Sequence, residues 1–254
     1  MLITIIVLTA LLFSTTYPLC FWISHKDPLK NNFHRFHLGL PTFVAGAVMA
    51  GHYLADGFSW DADWLLLIWT LVLLGVTAFS WEKQFPNTIL VTLPSVFGVM
   101  ILLYMTEGFS SAFFISLLAG LIFSSATYAM NLGHWYLNVH GLPIRHLERS
   151  VNVLGVFLIL RVAWDFFFLL TGKTGYQGDI IALYRFLGTM EGFLLNMALL
   201  LGTLFPLVSL YFVRGTLQVK STQSATGILY VVLSAVLLGD LTYKYYLIRY
   251  GIVL

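Results

Sequence analysis

The chain has 254 residues and a formal net charge of +2; 59% of its residues are hydrophobic and only 9% are charged. Soluble domains carry roughly 25% charged residues, so this composition excludes a soluble enzyme, a disordered chain and a nucleic-acid-binding domain. The single cysteine also excludes a disulfide framework and a cysteine-rich metal site. The sequence therefore indicates an integral membrane protein that is embedded in the lipid bilayer.

Eight segments are long and apolar enough to cross a bilayer, which requires about 20 mostly apolar residues in a helix. They cover residues 1–24, 36–56, 61–81, 88–106, 110–136, 150–171, 189–213 and 225–248. The first segment has neither a positively charged start nor a small-residue cleavage site, so it is interpreted as a retained span. The expected fold is all-α and polytopic, with about eight transmembrane helices in a single membrane domain, residues 1–254.

The connections between these segments are short, which favours one compact bundle without a soluble domain. The longest connection, 172–188, contains a stretch from Gly178 to Leu187 that predicts a short helix at the membrane interface. The turns after the first and fifth spans share a His-x-x-Pro pattern, beginning at His25 and at His140. Two interpretations follow: a duplication into four-helix halves, 1–108 and 109–254, or chance similarity between apolar helices.

Lysine and arginine are distributed unequally between the two sets of loops. One set carries eight of them and the opposite set carries four. Because basic residues concentrate in cytoplasmic loops, this asymmetry predicts that both termini lie outside the cytoplasm. We therefore expect a multi-pass protein of the cell's inner or plasma membrane. The eight residues are Lys26, Lys30, Arg35, Lys83, Arg145, Arg149, Arg214 and Lys220.

Ionisable residues inside the predicted spans are costly in lipid, so each is a candidate site. Three spans carry them four residues apart, which places both members of a pair on one helix face. The pairs are His52 with Asp56, Arg161 with Asp165, and Asp240 with Lys244. Glu191 lies at the same depth, Asn196 lies one turn deeper, and Tyr53, Tyr243 and Tyr245 lie nearby in height. We therefore predict one polar layer near the outer surface. The alternative is that the Arg–Asp and Asp–Lys pairs hold helices together.

This layer predicts a binding site for a quinone or quinol. A histidine beside a carboxylate can accept a proton near neutral pH and pass it to water. We therefore expect His52 to accept the hydrogen bond and proton of the quinol, and Asp56 to orient His52 and relay that proton. The remaining candidate residues for binding the quinone or a polar solute are Arg161, Asp165, Glu191, Asn196 and Asp240.

Six of the seven histidines lie on the opposite, predicted cytoplasmic side. A b-type haem requires two histidines at one depth, and His37 with His134 is the pair that meets this condition. The alternative is that these interfacial histidines hydrogen-bond to loops and lipid headgroups. The sequence lacks the His-x-x-His-His pattern of membrane desaturases, so no metal centre of that kind is expected.

Together these features predict a membrane subunit of a respiratory or other electron-transfer complex. It would bind quinol near the outer face and rely on redox centres in partner subunits, as the quinol-handling subunit of an oxidoreductase. In size and number of spans the chain is similar to the membrane anchors of the polysulfide and dimethyl-sulfoxide reductase type. The alternatives are a transporter for an ion or small solute, a b-haem electron carrier, and a structural or assembly subunit without a site.

Overall fold

The fold is that of a computed structural model, which describes residues 1–25, 29, 33–56, 63–106, 108–139 and 141–254. For residues 54–56 it describes the backbone alone. The helices are α1 (Leu2–Thr16), α2 (Phe33–Asp56), α3 (Asp63–Trp81), α4 (Thr88–Met105), α5 (Ser111–Asn138), α6 (Arg145–Thr171), α7 (Leu183–Phe186), α8 (Phe193–Met197), α9 (Phe205–Gln218) and α10 (Thr222–Tyr250). A 3-10 segment, Tyr17–Ser24, extends α1, and a π-helical segment, Ala198–Leu204, joins α8 to α9.

The predicted all-α, multi-pass membrane fold is confirmed. In the described part of the chain, seven helices are long and apolar enough to cross a membrane. They are Leu2–Ser24, Asp63–Trp81, Thr88–Met105, Ser111–Asn138, Arg145–Thr171, Phe193–Gln218 and Thr222–Tyr250. Helix α2 is also 24 residues long but more polar, because it carries residues such as His34, Arg35 and His37. The number of long helices is therefore close to the eight expected from the sequence.

The chain divides into two compact units, which we term the N-terminal unit, Leu2–Leu121, and the C-terminal unit, Ile122–Leu254. Within the N-terminal unit, α1 packs against α2 and α4, and α3 packs against α2 and α4. The apolar core of this four-helix arrangement includes Leu11, Ala45, Trp69, Leu73 and Ile101. The duplication stays a prediction, and His140 of its sequence pattern lies outside the described residues.

In the C-terminal unit, α10 packs against the π-helical segment and α9, and α6 packs against α9. Pro206 lies in the first turn of α9. Proline has no backbone N–H, so Pro206 cannot bond to the carbonyl of Gly202 one turn earlier. The missing hydrogen bond interrupts the regular helical pattern and accounts for the irregular segment directly before α9, because proline distorts helices. π-Helical turns of this kind are frequent at functional sites.

The prediction of an interfacial helix within 172–188 is largely wrong. Two antiparallel strands, β1 (Lys173–Tyr176) and β2 (Asp179–Ala182), form a hairpin there, and α7 is a single turn. Gln177 and Gly178 both have positive φ angles, 53° and 90°. Two such residues between paired strands form the turn that matches the natural twist of a hairpin. The Gln-Gly turn, together with flanking Thr, Tyr and Ile residues, therefore favours strands over a helix.

A glycine ends α10 and turns the chain back onto the C-terminal unit. Gly251 has a φ of +65°, and its N–H bonds to the carbonyl of Leu247 at 3.1 Å. Glycine adopts this left-handed conformation without steric cost. The residues that follow are held in place, because Trp164 Nε1 donates to the carbonyl of Val253 at 2.8 Å.

Candidate functional site

Two buried ion pairs lie inside the C-terminal unit, one on α6 and one on α10. Arg161 Nε donates to Asp165 Oδ1 at 2.9 Å, and Lys244 Nζ donates to Asp240 Oδ2. All four side chains are buried. The spacing of four residues places each pair on one helix face, one turn apart. The pairing predicted within each of these two helices is therefore present in the structure.

The two pairs occupy matching positions along their helices but in opposite order. Arg161 on α6 and Asp240 on α10 each lie ten residues before the last residue of their helix. Asp165 and Lys244 each lie six residues before it. With a rise of about 1.5 Å per residue, the members of each set are equally far from their helix ends. A positive group on one helix thus lies as far from its helix end as a negative group on the other, while each charge has its opposite partner within its own helix.

Tyr243 connects the charges of α6 to the π-helical segment. Its hydroxyl donates to Asp165 Oδ2 at 3.5 Å and lies 2.8 Å from the hydroxyl of Thr203. The guanidinium carbon of Arg161 lies 3.8 Å from the centre of the Tyr243 ring, in a cation–π contact. Arg161 also lies near enough to Lys244 for the two positive charges to repel each other. We term these residues the ionic cluster: Arg161, Asp165, Thr203, Asp240, Tyr243 and Lys244.

The ionic cluster contains two polar atoms without a hydrogen-bond partner in the described part of the chain, Arg161 Nη2 and Asp240 Oδ1. The residues are only 3% and 6% exposed. Leaving a buried polar group unpaired costs about 1–3 kcal/mol, and more when the group is charged. One atom is a donor and the other is an acceptor. A hydroxyl or a water molecule can satisfy either atom, because such a group both accepts and donates hydrogen bonds.

A glycine contact separates the ionic cluster from an apolar groove on the neighbouring face of α10. A Cβ atom built on Gly202 would lie 2.5 Å from the Cα of Gly239, so the two backbones touch. The residues that follow these glycines, Thr203 and Asp240, belong to the ionic cluster. On the other side lies a groove of about 340 Å³ with almost entirely apolar walls. Its lining includes Met197, Ala198, Leu201, Phe205, Val231 and Leu238.

Apolar residues cover the ionic cluster on the side of the C-terminal ends of α6 and α10. Tyr243 packs into a buried group that includes residues of α7, α8 and the C-terminal segment. We term this group the apolar cap: Leu183, Phe186, Leu195, Tyr246, Ile252 and Leu254. Direct contact of the charges with water from this side is therefore restricted.

Glu191 and Asn196, both predicted as binding residues, have described contacts outside the ionic cluster. The main-chain oxygen of Glu191 accepts a hydrogen bond from the hydroxyl of Tyr246, a residue of the apolar cap. The Glu191 side chain hydrogen-bonds to Tyr176 on β1, and this bond raises the pKa of Tyr176 above its usual value. Asn196 is half-buried on α8. Glu191 thus attaches the hairpin and the cap to each other.

The N-terminal unit contains a histidine–carboxylate pair, formed by His52 and Asp63. His52 Nε2 lies 3.0 Å from Asp63 Oδ1, which connects the end of α2 to the start of α3. Asp63 is buried, and 26% of the His52 side chain is exposed. A carboxylate at one ring nitrogen orients the imidazole and selects its tautomer. The side chain of the predicted partner, Asp56, lies outside the described residues, and among the described carboxylates that of Asp63 lies beside His52.

The two predicted haem ligands belong to different units. His37 is buried in the N-terminal unit, with its Nδ1 2.7 Å from the hydroxyl of Tyr17. His134, in the C-terminal unit, has its Nδ1 3.4 Å from the hydroxyl of Tyr230. Among the described residues, no group of three or more His, Cys, Asp or Glu side chains is arranged to hold a metal ion. The b-type haem stays a prediction.

The sequence did not identify Thr203 or Asp63 as site residues. It placed Tyr243 at the height of the predicted polar layer but assigned it no role. A signal existed for Tyr243, because it lies three residues after Asp240 and therefore on nearly the same helix face. Pro206 was a signal for an irregular turn beside Thr203, since proline disturbs the turn before it. Asp63 pairs with His52 across a connection between helices, and helical spacing does not reveal such contacts.

Comparison of the chain with protein-family models, with curated proteins and with solved structures finds no match.

Proposed function

We propose that this protein is the membrane-embedded subunit of an electron-transfer complex and that the ionic cluster binds the headgroup of a quinol. The observation that carries the proposal is the pair of unpartnered buried atoms, Arg161 Nη2 and Asp240 Oδ1. A quinol hydroxyl is both an acceptor and a donor, so one hydroxyl can accept from Arg161 and donate to Asp240. The redox centres that receive the electrons belong to partner subunits.

The charges of the ionic cluster suit the oxidation of a quinol. The reaction converts a quinol into a quinone and releases two protons and two electrons. Asp240 takes the first proton from the bound hydroxyl, while Arg161 stabilises the negative charge that develops on the oxygen. The second proton leaves to water, and both electrons pass to an iron–sulfur or haem centre in a partner subunit. Lys244 pairs with the same carboxylate and holds it in position for the transfer.

The proton-accepting role predicted for His52 is a separate proposal, in which Asp63 of the same unit orients the imidazole. A histidine–carboxylate pair at a partly exposed position can exchange protons with water near neutral pH. We expect His52→Ala to abolish quinol-dependent turnover of the complex while leaving its assembly intact. Unchanged turnover would remove His52 from the mechanism.

The proposal is tested in two steps with the full chain. The first is a pull-down from native membranes in mild detergent, with mass spectrometry of the bound proteins. Subunits that contain iron–sulfur clusters, molybdenum or several haems are expected to co-purify. The second measures binding of a benzoquinol without a side chain to purified protein, through its effect on thermal unfolding.

The variant Asp240→Asn isolates the headgroup site, because it keeps the shape of the side chain and removes its charge. We expect it to weaken binding of the benzoquinol by about tenfold, which corresponds to about 1.4 kcal/mol. Asp179→Asn is the matched control, since Asp179 is an exposed carboxylate in the same unit. Equal binding by both variants and by the unmodified protein would refute the proposal, as would an isolated chain with no redox partner.

A second candidate function is transport of an ion or small polar solute. The specific observation in its favour is the π-helical segment Ala198–Leu204, which interrupts the span Phe193–Gln218 beside the ionic cluster. Interrupted helices near the middle of the membrane form the binding sites of many transporters. Thermal stabilisation by an ion or solute, combined with its flux into vesicles containing the purified protein, would favour transport.

The distribution of basic residues between the loops also predicts the membrane and the orientation of the protein. We place the protein in the cell's inner or plasma membrane with both termini outside, since eight basic residues occupy the loops of the opposite side. A protease-cleavable tag at either end of the chain tests this orientation in intact cells. Cleavage from outside is expected for both tags, and protection of both would reverse the orientation.

A further inference from the structure

We infer that the C-terminal unit binds the headgroup of an anionic phospholipid at the first two turns of α6, where three arginines lie along one face. We term this surface the basic patch: Arg145, Arg149, Asn152 and Arg214. No residue of the ionic cluster belongs to it, so the lipid would bind there whether or not the cluster binds quinol.

Three members of the basic patch lie on the same side of α6. Arg145, Arg149 and Asn152 follow each other at spacings of four and three residues, which places them one turn apart on one helix face. Arg145 and Asn152 are exposed and Arg149 is half-buried. Neighbours at these spacings are about 5–6 Å apart at their Cβ atoms, so one phosphate group can lie between two of the side chains.

The fourth member, Arg214, reaches the same face from α9. Its Nη2 donates to Asn152 Oδ1 at 2.9 Å. A Cβ atom built on Gly155 would lie 3.7 Å from the same nitrogen. The guanidinium therefore lies against the surface of α6, beside Asn152 and over Gly155. A guanidinium has five N–H donors in a planar fork, which matches the oxygens of a phosphate group.

The charges at this end of the C-terminal unit are mainly positive. The segments 138–152 and 210–226 together carry four basic residues and one acidic residue. The acidic residue, Glu148, lies one turn from Arg145 on α6 and offsets part of its charge. In the described part of the chain, no carboxylate pairs with Arg214. The excess of positive charge favours a ligand of net negative charge.

The surface beside the basic patch is apolar, which suits the acyl chains of a lipid. Val156, Ile159 and Leu160 continue the same side of α6, and each is more than half exposed. Tyr211, one turn before Arg214 on α9, is also largely exposed. Both helices belong to candidate membrane spans. Apolar contact alone does not distinguish one lipid from another, so the arginines determine which lipid binds.

The predicted orientation of the protein agrees with this ligand. The arginines of the basic patch belong to the basic residues that predict the cytoplasmic side. The cytoplasmic leaflet is the one that carries a negative surface potential from anionic lipids, and basic pockets between transmembrane helices on that side bind their headgroups.

The test measures binding of two phospholipids to the purified full chain by native mass spectrometry. One is phosphatidylglycerol, which has a net negative charge, and the other is phosphatidylcholine with the same acyl chains, which has none. The variants Arg149→Gln and Arg214→Gln each remove one charge from the basic patch. Arg185→Gln is the matched control, because Arg185 is an exposed arginine of α7, which begins beside the C-terminal end of α6. Thermal unfolding confirms that each variant is folded.

We expect Arg149→Gln and Arg214→Gln each to weaken binding of phosphatidylglycerol by about fivefold, the contribution of one basic residue near an anionic surface. Binding of phosphatidylcholine should change by less than about twofold, and Arg185→Gln should change neither affinity. The variant Asn152→Ala releases the guanidinium of Arg214 without removing a charge. It should therefore weaken binding of phosphatidylglycerol by less than Arg214→Gln does.

Three outcomes would overturn the inference. The first is equal affinity of the unmodified chain for the two lipids. The second is a loss for Arg185→Gln as large as the losses for the variants of the basic patch, which would mean that any surface arginine has the same effect. The third is displacement of phosphatidylglycerol by an equal concentration of inorganic phosphate, because the acyl chains would then contribute nothing and the patch would bind free phosphate.

Discussion

The two units bury polar groups in different chemical forms. In the C-terminal unit, α6 and α10 bury four charged side chains in addition to residues such as His146, Ser150 and Thr226, and these four are Arg161, Asp165, Asp240 and Lys244. In the interior of the N-terminal unit the buried polar groups of the described residues are mainly hydroxyls and imidazoles. Examples are the hydrogen bond between Tyr17 and His37 at 2.7 Å and the one between Thr42 and Thr77 at 2.7 Å. One of its ion pairs, His52 with Asp63, joins the end of α2 to the start of α3.

The difference shows how each unit provides partners for its buried polar groups, so that burying them costs little free energy. A neutral hydroxyl or imidazole needs one partner and costs little when it is paired. A charge inside a membrane costs several kilocalories per mole unless an opposite charge lies beside it. The C-terminal unit provides that partner within the same helix, one turn away, so each helix carries no net charge at this level. Retaining such charges favours a binding role, whereas neutral pairs are sufficient for packing.

The largest expected effect is in the ionic cluster. Arg161→Met leaves the buried Asp165 carboxylate without its main partner. We expect a loss of about 3–5 kcal/mol in the free energy of unfolding, because removing one member of a buried pair leaves an uncompensated charge. Denaturation of the purified protein in mixed micelles measures this loss.

The double variant Arg161→Met with Asp165→Leu is the control for this effect. It removes both charges, so most of the lost stability should return. A double variant as unstable as the single one would show that Arg161 stabilises the unit by packing. Recovered stability together with lost quinol binding would separate the binding role of the charges from their structural role.

The glycine contact between the π-helical segment and α10 should give the next largest effect. Gly239→Ala places a methyl group against the backbone of Gly202, which cannot move aside as a side chain can. Overpacking of this kind costs about 1–3 kcal/mol, so we expect a clearly lower unfolding temperature.

Gly227→Ala is the matched control, because it lies in the same helix and a Cβ there meets nothing within 4 Å. Alanine favours helices over glycine by about 0.5–1 kcal/mol, so this variant should be as stable as the unmodified protein or more stable. Equal effects at both positions would mean that the backbones of α10 and the π-helical segment do not touch.

These elements also show what the sequence could and could not predict. The pairs Arg161–Asp165 and Asp240–Lys244 were predictable because helical periodicity alone places residues four apart on one face. The contact of Tyr243 with Thr203 depends on how two helices cross, and periodicity carries no information on crossing in a chain this uniformly apolar. The Gln177–Gly178 turn was a readable hairpin signal, but the apolar residues around it favoured a helical interpretation.

A smaller effect is expected at the ionisable pair of the N-terminal unit. Asp63→Asn removes the carboxylate that lies beside His52. Hydrogen bonds to charged groups contribute about 1.5–3 kcal/mol when buried, and His52 is partly exposed, so we expect about 1.5 kcal/mol. Asp56→Asn, at the partner predicted from helical spacing, is the comparison. A larger effect of Asp56→Asn on stability or on quinol-dependent turnover would support the predicted pairing of Asp56 with His52.

The smallest effect is expected at the neutral hydrogen bond of the N-terminal unit. Tyr17→Phe removes the hydroxyl that lies 2.7 Å from His37 Nδ1 and keeps the ring that stacks on the imidazole. A neutral hydrogen bond contributes about 1 kcal/mol, so the loss should be several times smaller than that caused by Arg161→Met. Tyr104→Phe, at an exposed tyrosine of the same unit, should change the stability by less than about 0.5 kcal/mol. If Tyr17→Phe were as damaging as Arg161→Met, the contrast between a neutral and a charged interior would not hold, because a single hydroxyl would then matter as much as a buried charge.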